Sequence, residues 1–162
     1  MPTQTYTPIA RQVLASSQAS VTFSSIPSTY TDLVLIANGS TTTTTANIRF
    51  QFNGDTAGNY SRTRVLGDGS AASSERESSV GSMAVGDWGT DRCTVLVSIQ
   101  NYANTSTFKT VLSRSNSEGF VSAYVGLWRK TPESITSITF FKNSANFTTG
   151  STFTLYGIKA GS

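Results

Sequence analysis

The side chains that could carry chemistry in this sequence are nine carboxylates, twelve lysines and arginines, and one cysteine, and histidine is absent. Without histidine, a Ser-His-Asp or Cys-His nucleophile, a His-ligated zinc and a histidine proton switch near neutral pH are excluded. Cys93 has no second cysteine with which to form an intrachain disulfide. Because Cys93 begins an alternating apolar pattern, we expect a small buried hydrophobe rather than a reactive thiol.

One pair of residues has the spacing of a known nucleophile and base. Ser106 and Lys109 match the Ser-x-x-Lys dyad of penicillin-recognising enzymes. That dyad requires a helix, because its lysine lies one helical turn from the serine. Lys109 instead lies in an alternating pattern typical of a strand, which places it on the opposite face from Ser106. The sequence therefore predicts no nucleophile at this pair.

Two suitably spaced carboxylates could hydrolyse a glycosidic bond without histidine. All nine acids, however, lie in or beside predicted turns, where Asp commonly bonds its own backbone. Glu75 and Glu77 flank Arg76 and are predicted to form a solvated charge cluster. Asp55 or the turn at Asp68 could supply oxygen ligands to Ca²⁺, but the sequence contains no EF-hand spacing. We therefore predict a non-enzymatic protein without a metal or cofactor.

The elements that must position these side chains are strands. Apolar residues recur at every second position, as in Ile48–Phe52 and Cys93–Ile99, and no segment holds a sustained helical spacing. In Val121–Trp128 both faces carry large side chains, which predicts a strand that is covered on each side. We predict an all-β fold: an antiparallel β-sandwich, jelly-roll-like, with about 8–10 short strands. The predicted strands are Val21–Phe23, Leu33–Ala37, Ile48–Phe52, Tyr60–Leu66, Val80–Val85, Cys93–Ile99, Phe108–Leu112, Val121–Trp128, Ser137–Phe141 and Phe153–Ile158.

Serine and threonine make up 50 of the 162 residues, 25 of each. Disordered chains lack aromatic residues, whereas 16 of the 17 here fall between Phe23 and Tyr156. Thr is therefore assigned to the wet strand faces and Ser to the turns. The chain is mildly basic, with a net charge of +3, and its lysines and arginines are scattered along the sequence. We therefore predict no nucleic-acid partner. No apolar run approaches the ~18 residues of a membrane span and no secretory signal is expected, so no membrane contact is predicted.

The chain is predicted to form one domain that begins with a distinct segment. Residues 1–20 are polar and extended around Pro2 and Pro8. They are predicted to be either an edge strand of their own domain or an arm that docks on a neighbouring subunit. Residues 21–162 are predicted to form a single β-sandwich domain. Within it, Gly67–Ser79 is rich in Ser, Gly and Ala and is predicted to be a long, mobile surface loop.

The candidate contact residues fall into three groups. Apolar and basic side chains of the first segment could contact a neighbouring subunit, and two arginines on one strand face could meet an acidic neighbour or stay solvated. A tryptophan beside a predicted turn, together with two tyrosines, could form a platform for a sugar ring or pack at the rim of the fold. In this order the residues are Tyr6, Ile9 and Arg11; Arg62 and Arg64; and Trp88 with Tyr60 and Tyr102.

Several segments together resemble one group of known proteins. They are Ser25–Leu35, Phe52–Asp55, Asn59–Ser61, Ser134–Ile138 and Asn146–Ile158. Their order and spacing are similar to those of small virion structural proteins of tailed bacteriophages, particularly phages of aquatic and cyanobacterial hosts. The resemblance extends over most of the chain, from about residue 21 to residue 158.

The resemblance implies a virion surface protein that binds rather than catalyses. Members of this group occur as free-standing capsid proteins or as modules on tail fibres. Because no coiled-coil or triple β-helix stalk accompanies this module, we expect a capsid decoration (cement) protein that forms a homotrimer. Its expected partner is the major capsid protein or another virion protein. The alternative is a tail-associated receptor- or carbohydrate-binding module that contacts a host glycan.

Overall fold

The computed structural model describes residues 5–159, and this part of the chain consists of antiparallel strands without a helix. The predicted all-β class is therefore confirmed. The strands number twelve rather than eight to ten, because β1 and β6 add to the ten that the alternating patterns predict. The strands are β1 (Tyr6–Val13), β2 (Ser20–Phe23), β3 (Asp32–Gly39), β4 (Ala46–Phe52), β5 (Tyr60–Gly67), β6 (Ala72–Val80), β7 (Met83–Trp88), β8 (Cys93–Ile99), β9 (Lys109–Ser117), β10 (Phe120–Trp128), β11 (Ile138–Lys142) and β12 (Thr152–Ile158).

The strands form two sheets that pack face to face. The larger sheet has the order β1-β12-β3-β8-β9-β10-β5-β6, and the smaller sheet has the order β2-β11-β4-β7. Along the chain the strands alternate between the two sheets, except that β5 and β6 are consecutive in the larger sheet and so are β8, β9 and β10. The hairpins β5–β6 and β9–β10, called the added hairpins below, lie side by side at one end of the larger sheet and contribute four of its strands. β7 of the smaller sheet packs against β9 and β10. The larger sheet therefore has twice as many strands as the sheet that covers it.

Aromatic rings fill the space between the sheets. Phe140 of β11 lies 5.7 Å from the ring centre of Phe153 in β12, and Phe153 lies 5.0 Å from Phe147. Trp88 completes this cluster, with its ring centre 5.6 Å from that of Phe147. Three of these rings come from alternate positions of their strands, which places them on inner faces. The fourth, Phe147, lies in the segment between β11 and β12.

β1 pairs with β12 of the same chain and forms one edge of the larger sheet. A bulge lies between Pro8 and Ala10, which suits an edge strand because proline has no amide hydrogen for a ladder. Residues 6–13 of the predicted N-terminal segment thus belong to the sheet of their own chain, while residues 1–4 lie outside the described residues.

The prediction that Gly67–Ser79 is a mobile surface loop is wrong. Most of it forms β6, which pairs with β5 from Ala72 to Val80. The strand contains almost no apolar residue, so the sequence lacks the usual alternation of apolar and polar side chains. Its inward positions carry Glu75 and Glu77 instead, and ion pairs to β5 take the place of apolar burial.

β10 was predicted to be covered on both faces, but only one of its faces is covered. Its inner face is covered, with Tyr124 and Trp128 at 1% and 2% exposure. Its outer face is open, because Val121 and Val125 are 64% and 59% exposed. The described chain therefore covers only one of the two faces that the sequence makes apolar.

Candidate functional site

The three aromatic residues predicted as a ligand platform lie inside the core. Trp88, Tyr60 and Tyr102 are each 0% exposed. Trp88 belongs to β7 rather than to a turn. The Tyr60 hydroxyl donates to the carbonyl oxygen of Asp55 (3.2 Å) and accepts from the amide of Phe52 (3.0 Å). The prediction of a sugar-stacking platform on these rings is therefore wrong, because burying a large aromatic ring stabilises the core more than exposing it does.

The two arginines of β5 share one face, and that face meets acidic side chains. Arg62 is 3% exposed, its Nε donates to Glu77 Oε2 at 3.1 Å, and its Nη2 bonds Glu75. The Arg62 guanidinium also lies 5.4 Å from the ring centre of Tyr124, a cation–π contact. Arg64 pairs with Glu75 at 3.5 Å. The solvated alternative is wrong for Arg62, and both arginines meet acidic neighbours.

A buried carboxylate on β7 forms the centre of this polar region. Asp87 is 2% exposed, although the sequence predicted it to lie in a turn. Its Oδ1 accepts hydrogen bonds from Asn47 Nδ2 (2.8 Å) and Arg64 Nη1 (3.2 Å). Its Oδ2 accepts from the hydroxyls of Ser122 (2.9 Å) and Tyr124. Burial, followed by the Asp87 charge, raises the pKa of Tyr124 well above its usual value.

Further ion pairs extend this polar network to β4 and β6. Arg49 of β4 donates to Glu77 Oε2 at 2.9 Å. Burial opposes ionisation of Glu77, but its hydrogen bond to Arg49 and the charges of Arg49 and Arg62 outweigh burial, so the pKa of Glu77 lies below its usual value. Matched charges therefore attach the β5–β6 hairpin to the smaller sheet. The hydroxyls of Ser122 and Tyr124 attach β10 to the same network through Asp87. The charged members of the network are Arg49, Arg62 and Arg64 with Glu75, Glu77 and Asp87.

A cleft of about 490 Å³ opens beside this network. Asn47, Arg49, Arg64 and Asp87 line it, together with the half-buried ring of Phe120. The three charged side chains in this lining are already joined to opposite charges, so the cleft presents a balanced charge to any ligand.

The predicted calcium ligands are occupied by protein donors. Asp55 Oδ2 accepts from Trp128 Nε1 (2.7 Å) and Asn59 Nδ2 (3.0 Å). Asp68 accepts from the backbone amides of Ser70 and Ala71, so its carboxylate shapes a turn. Within residues 5–159 no group of three or more acidic or cysteine side chains could hold a metal ion. The same residues contain no helix that could span a membrane.

The outer face of the larger sheet carries a shallow trough of about 510 Å³. It crosses five neighbouring strands, β3, β8, β9, β10 and β5. Eight of its eleven lining residues belong to the added hairpins, and Arg114 is the one charged side chain among the eleven. The lining residues are Ile36, Val65, Gly67, Thr94, Leu96, Arg114, Ser115, Asn116, Val121, Ser122 and Ala123.

Apolar side chains make this face unusual for the exposed side of a sheet. Val65, Leu112, Val121 and Val125 are 56–64% exposed. Val125 lies directly opposite Leu112 on β9, and Val65 lies opposite Ala123 on β10. Contiguous exposed apolar side chains of this kind mark protein–protein contact sites. The outer face of the added hairpins is therefore the candidate interaction surface.

The candidates of the N-terminal segment lie at the opposite edge of the larger sheet. Tyr6 is 54% exposed and its ring centre lies 6.2 Å from that of Tyr156, while Arg11 is exposed. Ile9 is half-buried and packs against the core. Because β12, β3, β8, β9 and β10 separate β1 from β5, the structure does not bring these residues together with Arg62 and Arg64.

The residues of the interaction surface were not predicted from the sequence, although one pattern pointed to them. The sequence gives no special signal at Val65, Leu112 and Arg114, because they alternate with inward side chains as the residues of any strand do. The apolar outer face of β10 was the available indication, because it predicted a covering layer that the described chain does not supply.

Comparison with protein families, with curated proteins and with solved structures gives no significant match.

Proposed function

We propose that this protein is a non-enzymatic structural protein of a tailed-phage virion. In this proposal it is a capsid decoration protein that binds the assembled shell as a homotrimer, with the major capsid protein or another virion protein as its partner. The observation that carries the proposal is the exposed apolar face on β5, β9 and β10. An apolar sheet face left open by its own chain is the kind of surface that stable assemblies bury.

The strand order supports a jelly-roll architecture for this protein. Without the added hairpins, the sheets reduce to β1-β12-β3-β8 and β2-β11-β4-β7. The chain then changes sheet at every connection except the one from β4 to β7, which both lie in the smaller sheet. Eight antiparallel strands in two packed four-stranded sheets are the arrangement of a jelly roll, which is common among capsid proteins. In this proposal the added hairpins are insertions that carry the binding surface, since function commonly lies in sites grafted on a shared fold.

The proposed mechanism is thermodynamic linkage. A protein that binds the assembled shell but not its free subunits adds its binding free energy to the stability of the shell. At a free concentration of 100 times Kd this contribution is about 2.7 kcal/mol per site. Many copies per particle would multiply the effect, which suits a small, rigid protein with few charged residues.

The alternative of a tail-associated receptor- or carbohydrate-binding module has lost its proposed sugar platform. Trp88, Tyr60 and Tyr102 are buried and offer no ring face to a glycan. The outer trough offers apolar side chains and one arginine instead, which suits a protein partner better than a polyhydroxylated sugar.

The number of copies per particle tests the proposal. Quantitative mass spectrometry of purified particles from the source phage should find this chain in hundreds of copies, and particles that lack it should lose their DNA at a lower temperature. A handful of copies per particle would instead place the chain on the tail. Absence from purified particles would overturn the proposal altogether.

A further inference from the structure

We infer that the trough receives an extended, apolar segment of a different protein, and that a carboxylate of this segment pairs with Arg114. This inference rests on the proposed function, in which the outer face of the added hairpins is the binding surface, and it names the chemistry of the partner.

The charge of the trough selects an acidic partner. Arg114 is exposed and forms no ion pair within the described residues, and it is the one charged side chain in the trough lining. The arginines of the inner network, by contrast, are all paired. An arginine surrounded by apolar side chains gains most from a partner carboxylate, because apolar groups exclude water from a bidentate ion pair.

The same charge disfavours a second copy of this chain as the occupant. Two copies laid face to face over their troughs would each present Arg114, and neither lining offers a carboxylate. Like charges facing each other in a desolvated interface cost several kcal/mol. The homotrimer contacts of the proposed function therefore lie elsewhere on the molecule.

The shape of the trough fits a segment that runs across the strands. The first and last of the five neighbouring strands, β3 and β5, are four strand spacings apart, which gives about 19 Å at roughly 4.8 Å per spacing. Along each strand the lining extends over three residues at most, as in Arg114–Asn116 and Val121–Ala123. An extended chain rises about 3.3 Å per residue, so about six residues cross the trough.

Photo-crosslinking in phage-producing cells identifies the occupant. The photoreactive residue p-benzoylphenylalanine replaces Val121 in the trough, and in a matched control it replaces the exposed Ser24 after β2. We expect the Val121 probe to crosslink a segment of another protein that contains Asp or Glu among apolar residues, and the Ser24 probe not to crosslink that segment. A crosslink to a second copy of this chain, or no crosslink, overturns the inference.

Charge variants test the role of Arg114 in the same particles. Arg114→Glu should reduce incorporation into particles by more than about tenfold. Arg114→Lys keeps the charge but loses the bidentate geometry, so it should reduce incorporation less than Arg114→Glu does. Lys159→Glu makes the same change of net charge away from the trough and should incorporate normally. Normal incorporation of Arg114→Glu overturns this inference but leaves the proposed function intact. A crosslinked acidic segment from a protein outside the particle would overturn the proposed function but leave this inference intact.

Discussion

Replacement of Asp87 by alanine tests how the added hairpins are held. The Asp87 carboxylate accepts four hydrogen bonds at 2% exposure, including one from Arg64. Its removal leaves the Arg64 charge in a poorly solvated position with the half-exposed Glu75 as its remaining partner. Breaking a buried ion pair on one side costs about 3–5 kcal/mol, a large part of a typical stability of about 5–15 kcal/mol.

Urea denaturation measures this cost. With an m-value of about 2 kcal/mol/M, Asp87→Ala should lower the urea midpoint by about 1.5–2.5 M. The melting temperature should fall by about 6–20 °C for a chain of this size. Asp91→Asn removes an exposed carboxylate at a turn and should change the stability by no more than about 0.5 kcal/mol.

Native-state hydrogen exchange shows which strands lose stability in Asp87→Ala. If the network attaches the added hairpins, amides of β5, β6, β9 and β10 should lose protection in Asp87→Ala before those of β3 and β12. The reasoning is refuted if Asp87→Ala is no less stable than the Asp91→Asn control. Uniform loss of protection across the larger sheet would also refute the assigned role, because it would mean that the network supports the whole fold equally.

Three further predictions concern alkaline pH, a tight turn and a buried ammonium. Burial raises the pKa of Tyr60 and Tyr124 in the folded state. Their contribution to the stability of the fold is therefore complete below the unfolded pKa of about 10 and is lost as the pH rises above it. The urea midpoint should fall between about pH 10.5 and 11.5, and a midpoint that stays constant over this range would contradict the prediction. Gly81→Ala would place a Cβ 2.4 Å from a backbone carbonyl oxygen and should lower the free energy of unfolding by about 1–3 kcal/mol in urea denaturation. Gly119→Ala, whose Cβ would have no atom within 4 Å, should leave it unchanged, and equal losses in the two variants would refute the prediction. Lys142→Met removes a 4% exposed side chain whose Nζ lies within 3.4 Å of four oxygens and has three N–H groups to share among them. This change should cost at least about 2 kcal/mol, and unchanged thermal stability would contradict this geometry.

The alternating apolar positions were enough to predict the fold class. Segments such as Ile48–Phe52 carry their burial pattern in every second residue, and that pattern depends only on the pleat of a single strand. The pairing of strands depends on contacts between distant segments, such as β3 with β12, and no local pattern encodes it. The order of strands in the two sheets was therefore beyond reach of the sequence.

Two misjudged segments share one physical cause. β6 is a strand with almost no apolar residues, held by ion pairs from Glu75 and Glu77 to arginines that lie elsewhere in the chain. Asp87 and Trp88 have turn-like neighbours, yet they lie in a buried strand because Asp87 finds its donors on β4, β5 and β10. In both cases long-range polar partners override local composition, and a single sequence does not reveal such partners.

Reconstruction of the intact particle shows whether the outer face of β5, β9 and β10 is an interface. We expect this chain on the capsid, with that face buried against another protein and a carboxylate of that protein at Arg114. The proposal is wrong if Val65, Leu112, Val121 and Val125 face solvent in the reconstruction.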